Sequence, residues 1–423
     1  MLNWSFAMIR LLSSVALGAM IGAAPALAQT EIRIVSGQER QNGAVLVDIF
    51  KRFNAGQNRV LVDLELDNRS DLDTTQKVLA DIVAGTTPDA VRITGAVLRS
   101  YIDSGRAQPL DACLASAPKL AAQLDTGLLD GFRVNGTLYA MPWYVTLPAL
   151  FINADAFRAA GLDPENPPAT WSELEAAAAA LSNGSGDRYG LLMYMPNTYM
   201  FEGQLASSGG AMVGPDGQSG VAGPAAVDQM AFMRRLVKDK RMPALSQAVF
   251  WGEAARLFQA GEVAMLLTSS SSYNSLTANV NFDVALAPMP AQDGHDPITM
   301  ASGNGFVMLA TDPARQEATC SALLSLITPE SVAATVRATA SSPLNVAAAE
   351  IPELLGDFYA KNRKLVVINS QMSRPWYTLP GRANNEFQSN FGDIQHEILT
   401  GATSPQDGLN RLAALMNELN AGQ

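Results

Sequence analysis

The stretch 139–173, YAMPWYVTLPALFINADAFRAAGLDPENPPATWSE, predicts a strand that is followed at once by two helices. Residues 147–153 form an apolar, β-branched and aromatic run, which is typical of a buried strand. A short helix is predicted from Asp155, and Gly161 stands where a left-handed C-cap would end it. Residues 170–173, TWSE, have the Thr-x-x-Glu spacing of a capping box and predict the start of the second helix.

Strand and helix patterns also alternate in the residues before this stretch. Strands are predicted at 31–35, 60–66 and 90–93, with helical spacing of apolar residues between them. Such alternation predicts an α/β chain with an open sheet. Ligands of open α/β sheets bind beyond the carboxyl ends of the strands, which predicts a site in the loops at those ends.

The amino-terminal residues predict an exported protein, and the composition limits its partners and its size. Arg10, the apolar run 11–24 and Ala26-Leu27-Ala28 form a signal-peptide pattern with cleavage after Ala28, and no cysteine follows for a lipid anchor. The net charge of −11 opposes binding to nucleic acid or to anionic membranes. About 395 residues would remain after cleavage, more than one core usually supports, so we expect two lobes.

The cysteines and histidines are few. Cys113 and Cys320 are the only cysteines, and they could form a disulfide or remain two small buried side chains. His295 and His396 are the only histidines and stand far apart, so each is interpreted as a surface or structural residue. No Cys/His spacing typical of a metal site exists, and we predict neither a metal nor a cofactor.

Two segments of the chain resemble a known family. NADAFRAAGLDPENPPATWSELEAAAAAL at 153–181 and ARLFQAGEVAMLLTSSSSYNSL at 255–276 are similar to the carbohydrate-type extracellular solute-binding proteins that feed ABC importers. That family includes maltose-binding and glycerol-3-phosphate-binding proteins. The resemblance covers essentially the whole mature chain. It implies a type II-like periplasmic-binding-protein fold with two hinged lobes around a cleft, a monomer, and an ABC permease as partner.

The same resemblance suggests where the chain crosses between the lobes. The predicted division is 1–28 signal peptide, 29–145 first lobe, 146–301 second lobe, 302–343 return to the first lobe, and 344–423 second lobe with the C-terminal helices.

Ligand contacts from the first lobe are expected in the loops after its strands. The resemblance implies Glu39 and Arg40 after the first strand and Thr94 after the third, although Glu39 and Arg40 could equally be a solvated pair at a helix start. Trp143 and Tyr144 are predicted in a Pro-flanked loop, where such rings could stack on a sugar or pack at a hinge. We favour a cleft position for Tyr144.

Polar and aromatic residues also follow strands of the predicted second lobe. Tyr199 and Glu202 come after the strand predicted at 190–195, and Met200 and Phe201 between them are interpreted as core. Ser270 and Ser271 lie in an unusual polar run before a helix-like segment. Many relatives have an aromatic residue in that run, so its absence disfavours a maltodextrin ligand.

The last candidates lie near the second crossing and in the C-terminal part. Gly303 and Asn304 stand in a Gly-Asn-Gly run that permits a close backbone approach, either at a hinge or at a ligand. Trp376 offers a stacking face, unless it packs in a surface loop, and Arg382 offers a fork of donors for hydroxyls or a phosphate.

Catalysis has little support in the sequence. No nucleophile elbow, phosphate loop, dinucleotide fingerprint or zinc-protease motif is present, and the acidic pair Asp71 and Asp73 is predicted on a helix surface. We therefore predict a non-enzymatic binding protein for a sugar or polyol. A ligand such as glycerol 3-phosphate or a glycerophosphodiester is the alternative, and a secreted glycoside-acting enzyme ranks below both.

Overall fold

The computed structural model describes residues 29–37, 39–67, 69, 71–379 and 381–421, and of residues 39–42, 71, 72, 381 and 382 it describes the backbone alone. The signal peptide predicted at 1–28 lies outside these residues. In the described part, the strands are β1 Thr30–Ser36, β2 Val60–Leu66, β3 Ala90–Thr94, β4 Arg133–Val134, β5 Thr137–Leu138, β6 Ala140–Thr146, β7 Pro148–Asn153, β8 Tyr189–Leu192, β9 Val263–Ser269, β10 Val284–Ala287, β11 Thr299–Met308 and β12 Ser373–Pro375.

The helices of the same residues are spread between these strands and after them. They are α1 Glu39–Gly56, α2 Asp71–Ala84, α3 Leu98–Asp103, α4 Asp111–Ala115, α5 Pro118–Ala121, α6 Thr126–Asp130, α7 Ala154–Ala159, α8 Trp171–Leu181, α9 Thr198–Ala206, α10 Pro224–Lys238, α11 Gln247–Gln259, α12 Tyr273–Thr277, α13 Pro313–Ser325, α14 Pro329–Thr339, α15 Ala347–Glu350, α16 Asp357–Lys361, α17 Arg363–Asn369, α18 Gly381–Thr400 and α19 Pro405–Ala421.

The first sheet has the order β12-β11-β3-β1-β2, and β6 also pairs with β11. β1 pairs in parallel with β2 along its whole length and with β3 at its carboxyl end, whereas β11 runs antiparallel to β3 and to β6. The strands predicted at 31–35, 60–66 and 90–93 are therefore confirmed.

The second sheet has the order β10-β7-β9-β8. Every residue of β7 is buried, because the strand lies inside this sheet and pairs on both edges, with β10 and β9. The strand predicted at 147–153 is thus confirmed as a central strand.

The two helices predicted after β7 are also confirmed. Gly161 has a φ of +76°, the left-handed conformation that glycine adopts without the cost of a Cβ. At the start of α8, the Thr170 hydroxyl accepts from the Glu173 N–H at 3.3 Å, and the Glu173 carboxylate accepts from the Thr170 N–H at 3.2 Å. This is the predicted capping box.

Two local predictions are wrong. Trp143 and Tyr144 lie in β6 and not in a loop, because the backbone from 140 to 146 pairs with β11. The pairing register shifts between Asn304 and Gly305 of β11. Gly305 faces Pro142, which has no N–H to donate to the ladder. Glu39 and Arg40 belong to the first turn of α1, the helix start that was the alternative interpretation, and not to a loop.

Helices of the C-terminal half reach both sheets, since α13 packs on β1 and β11 and α17 on β10. α13 and α14 contact α1, α17 contacts β10, and α18 and α19 contact α10. Beyond 343 the chain still contacts residues of the predicted first lobe, since the Asp125 N–H donates to the Leu344 carbonyl at 2.8 Å. The lobe boundaries remain predictions.

A disulfide joins Cys113 on α4 to Cys320 on α13, with 5.6 Å between the Cα atoms and a sequence separation of 207. The sequence left this pairing open. The bond ties the segment before β4 to a helix that packs on β1 and β11.

No single helix among the described residues is long and apolar enough to cross a membrane. The pair α13 and α14 passes that test by length and composition, but the two helices are bent by 59°.

Candidate functional site

A cavity of about 410 Å³ lies where the carboxyl end of β3 meets α9 and the segment after β12. It is lined by residues from several parts of the chain: Gly95, Leu98 and Arg99 after β3, Leu128 and Gly131 to Asn135, Val145 on β6, Ala301 to Gly303 on β11, Glu202, Met212, Val213, and Pro375 to Thr378. The location agrees with the rule that ligands bind beyond the carboxyl ends of strands in open α/β sheets.

Helix α9 places Glu202 at this cavity. The Asn197 side chain caps α9 by accepting from the Tyr199 N–H at 3.1 Å, and Glu202 follows one turn later with 7% of its surface exposed. Burial raises the pKa of the Glu202 carboxyl to about 8, although the Tyr377 N–H, which donates to both carboxyl oxygens at 3.0 and 3.1 Å, lowers it. At neutral pH the carboxyl therefore mainly holds its proton.

Trp376 presents a half-buried ring at the same cavity. Its indole N–H donates to the Thr198 hydroxyl at 3.0 Å, and the Gln388 amide donates to that hydroxyl at 2.9 Å. The Tyr199 ring packs edge-on against the indole with 5.5 Å between centroids. These contacts fix the orientation of the indole and leave part of its surface facing the cavity.

The loop that carries Trp376 is closed by Asn384 on α18. The Asn384 side-chain oxygen accepts from the Leu379 N–H at 3.2 Å, and its amide lies 3.5 Å from the Ala96 carbonyl in the 3₁₀ turn after β3. The side chain is 1% exposed. Asn384 therefore connects the aromatic loop to the segment that carries Arg99.

Arg99 is a cation at the cavity wall. No carboxylate in the described part of the chain lies within ion-pair distance of it, whereas Arg133 at the same cavity pairs with Asp111 at 2.7 Å and Asp130 at 3.5 Å. Burial raises the pKa of the Tyr377 hydroxyl, and the positive charge of Arg99 acts in the opposite direction and lowers it. Arg99 could therefore pair with an anionic group of a ligand.

Of the residues predicted to contact a ligand, the cavity brings together Glu202, Gly303 and Trp376. Tyr199 lies behind Trp376, 3% exposed, and its hydroxyl donates to the Thr146 carbonyl at 3.0 Å. Tyr144 is 7% exposed and packs edge-on against Trp143.

Thr94, Asn304, Ser270 and Ser271 are not among the described residues that line this cavity. Thr94 and Asn304 pair across β3 and β11, where the buried Asn304 side chain accepts from Arg92. Ser270 is buried against Leu147, and Ser271 is exposed with its hydroxyl 2.9 Å from that of Ser269. The side chains of Glu39, Arg40 and Arg382 lie outside the described part. Whether any of these residues contacts a ligand stays a prediction.

The close approach of β11 to β6 requires a glycine at position 303. A Cβ at this position would lie 2.4 Å from the Tyr144 carbonyl oxygen, far inside contact distance. The close backbone approach at Gly303 is thus one between β11 and β6, and a role at a hinge or at a ligand stays a prediction.

Sequence reasoning missed Arg99 and Phe132. Arg99 lies in the first turn of α3, just beyond the strand end where we expected the site, so extending that search by five residues would have found it. No sequence pattern points to Phe132, because it reaches the cavity from a short irregular segment between α6 and β4 and not from the end of a predicted strand.

No group of three or more His, Cys, Asp or Glu side chains in the described ranges is placed to hold a metal ion. The chemistry of the cavity is that of an aromatic face, one buried carboxyl group and one guanidinium with no ion-pair partner in the described part of the chain, which suits recognition of a small polar molecule.

A family model described as bacterial extracellular solute-binding protein matches residues 48–365. The sn-glycerol-3-phosphate-binding periplasmic protein UgpB of Yersinia pseudotuberculosis is 26% identical over 426 residues, covering 94% of this chain and 93% of that protein. With a binding protein of Brucella abortus the identity is also 26%, and the match spans 61% of this chain and 63% of the relative's length.

Solved structures are similar over nearly the whole chain. UgpB from Mycobacterium tuberculosis, in complex with glycerophosphocholine, gives a TM-score of 0.79 at 20% identity and covers 92% of this chain and 99% of its own. The cyclic α-maltosyl-1,6-maltose binding protein of Arthrobacter globiformis gives 0.77 at 19% identity, covering 93% and 100%. The predicted two-lobed α/β binding-protein fold is confirmed.

Proposed function

The chain belongs to the bacterial extracellular solute-binding protein family, and on that premise we propose that it captures a sugar or polyol in the periplasm for an ABC importer. Family membership makes it a transport receptor and not a catalyst. The observation that supports the ligand class is the pairing, at one cavity, of the fixed Trp376 ring with the buried Glu202 carboxyl.

Sugars and polyols need both kinds of contact. The C–H face of a sugar ring packs on an aromatic side chain, and its hydroxyls exchange hydrogen bonds with carboxyl oxygens. Trp376 is held by Thr198, and Glu202 is held by the Tyr377 N–H, so both are already oriented before a ligand arrives. Preorganisation of this kind reduces the entropy lost on binding.

The cavity is lined by residues of both predicted lobes, Val145 and Gly303 from the first and Glu202 from the second. A ligand that contacts both lobes stabilises the closed form more than the open form, and the population shifts accordingly. The lobes of this proposal are those predicted from the sequence, with crossings near 146, 302 and 343. The closed form would then dock on a membrane permease.

The second candidate ligand is glycerol 3-phosphate or a glycerophosphodiester. Arg99 favours it, because a guanidinium at the cavity without a described carboxylate partner suits a phosphate. Arg382 was predicted for the same task. Relatives named or solved as binders of glycerol 3-phosphate and glycerophosphocholine support this candidate further.

A thermal-shift screen of residues 29–423 tests both candidates, with mono- and disaccharides, polyols, glycerol 3-phosphate and glycerophosphodiesters, followed by calorimetry on each binder. A sugar ligand predicts a large loss of affinity in Trp376→Ala and little effect of salt. A phosphate ligand predicts a large loss in Arg99→Gln and weaker binding at high salt. Trp251→Ala is the matched control, since Trp251 is 58% exposed and does not line the cavity. Stabilisation by none of these compounds would contradict both candidates.

A further inference from the structure

Glu202 is a buried acid whose hydrogen bonds are incomplete. Among the described residues its carboxyl group accepts only from the Tyr377 N–H, which is shared between both oxygens. A carboxylate has about four acceptor positions. The remaining positions have no protein donor in the described chain, and the side chain lines the cavity.

The charged and titratable groups around Glu202 do not neutralise it. On its own helix Tyr199 is buried and donates to the Thr146 carbonyl instead. Tyr377, in the segment after β12, donates its backbone N–H to Glu202. The charged form of Glu202 also raises the pKa of the Tyr377 hydroxyl by electrostatic repulsion. From α3 and β4, Arg99 and Arg133 reach the same cavity but form no ion pair with Glu202. β11, which packs against α9, contributes no titratable residue to the cavity wall.

We propose that Glu202 selects solutes with two neighbouring hydroxyl groups, and that binding of such a solute releases a proton from its carboxyl group. This inference rests on the proposed function, because it assigns a chemical feature of the ligand to the same cavity.

The chemistry follows from the missing donors. In the empty protein, burial favours the protonated acid and raises its pKa to about 8. A pair of neighbouring hydroxyls donates one hydrogen bond to each carboxyl oxygen, and hydrogen bonds to the charged form favour that form. The proton passes to the solvent, and the carboxylate is then held by the Tyr377 N–H and the two ligand hydroxyls. Sugars, polyols and glycerol phosphates with a free diol all have this feature.

The ligand-free arm of the test compares the melting temperatures of the native protein and Glu202→Gln from about pH 5 to pH 8.5. Glutamine keeps the acceptor for Tyr377 and cannot titrate. In the native protein the folded state keeps a proton that the unfolded state loses above its pKa of 4.5, so stability falls as pH rises towards 8. We expect the melting temperature of the native protein minus that of the variant to fall by several degrees. Glu330→Gln, an exposed carboxylate on α14, should give a constant difference.

The ligand arm uses maltose, sorbitol and sn-glycerol 3-phosphate as probes in calorimetry. For a probe that binds, affinity should rise up to about tenfold per pH unit below pH 8 and level off above it. Titrations in two buffers of different ionisation enthalpy should show release of about one proton. Glu202→Gln should bind more weakly and lose the pH dependence.

The outcomes separate this inference from the proposed function. If no probe binds but the melting-temperature difference falls, the proposed ligand class is wrong, and the protonation of Glu202 in the ligand-free protein is supported. A pH-independent affinity, or one that falls with pH, overturns the release of a proton. A constant melting-temperature difference overturns the inference whatever the probes do.

Discussion

The indole N–H of Trp376 donates to the hydroxyl of Thr198 at 3.0 Å, which ties the aromatic loop after β12 to the first residue of α9. One side chain thus offers a ring to the cavity and holds the helix that carries Glu202.

The first prediction concerns that ring. Trp376→Ala should weaken binding of a sugar roughly thirtyfold, since a well-packed aromatic anchor contributes on the order of 2 kcal/mol. Trp376→Phe should lose less, because it keeps an aromatic face and loses only the bond to Thr198. Calorimetry measures both. Equal affinities for the native protein and Trp376→Ala would show that the ring does not contact the ligand.

The second prediction concerns the contact between β6 and β11. Gly303→Ala should lower the free energy of unfolding by about 2 kcal/mol or more, because its Cβ would lie 2.4 Å from the Tyr144 carbonyl and the strands would have to separate. Urea denaturation measures this change. Gly252→Ala on α11 is the control: no atom lies within 4 Å of its Cβ, and alanine should stabilise the helix by about 0.5–1 kcal/mol.

The third prediction concerns the disulfide. Replacing Cys113 and Cys320 together by serine should lower the free energy of unfolding by about 2–5 kcal/mol, since the bond restricts the unfolded chain over 207 residues. Ligand affinity should stay unchanged, because neither cysteine lines the cavity. Denaturation of the native protein with and without a reductant is the companion measurement. If reduction changes nothing, the bond does not stabilise the fold.

The fourth prediction concerns the capping box of α8. Thr170→Ala should cost about 1 kcal/mol of stability, and Thr170→Ser should cost little, because serine keeps the hydroxyl that accepts from the Glu173 N–H. Adding Glu173→Ala to Thr170→Ala should cost less than the sum of the single changes, since the two residues form one motif. Additive losses would show that the two bonds act independently.

Local patterns in the sequence were sufficient for much of the fold. β2 lies at 60–66 as predicted, and Gly161, Thr170 and Glu173 act as their positions indicated, because strand alternation and helix caps depend on a few neighbouring residues. Trp143 and Tyr144 were misplaced, since whether they form a strand depends on pairing with β11, more than 150 residues later.

The site was predicted less completely than the fold. Glu202 was chosen because it follows a predicted strand, and Trp376 because its ring offers a stacking face; both line the cavity, and their contact with a ligand stays a prediction. Arg99 was missed because it lies five residues past the end of β3, and Phe132 because a cavity wall is assembled from segments that are distant in sequence. The pairing of Cys113 with Cys320 could not be decided for the same reason.

The position of β11 also sets an order for assembly of the first sheet. It pairs with β3 and with β6, yet it comes more than 150 residues after either of them in the chain. A polypeptide that emerges from its amino terminus therefore has β3 with one edge unpaired until residue 308 has emerged. Non-local pairing of this kind slows folding and exposes a strand edge to other chains. Slow folding, with the β3 edge open until β11 is available, is the consequence.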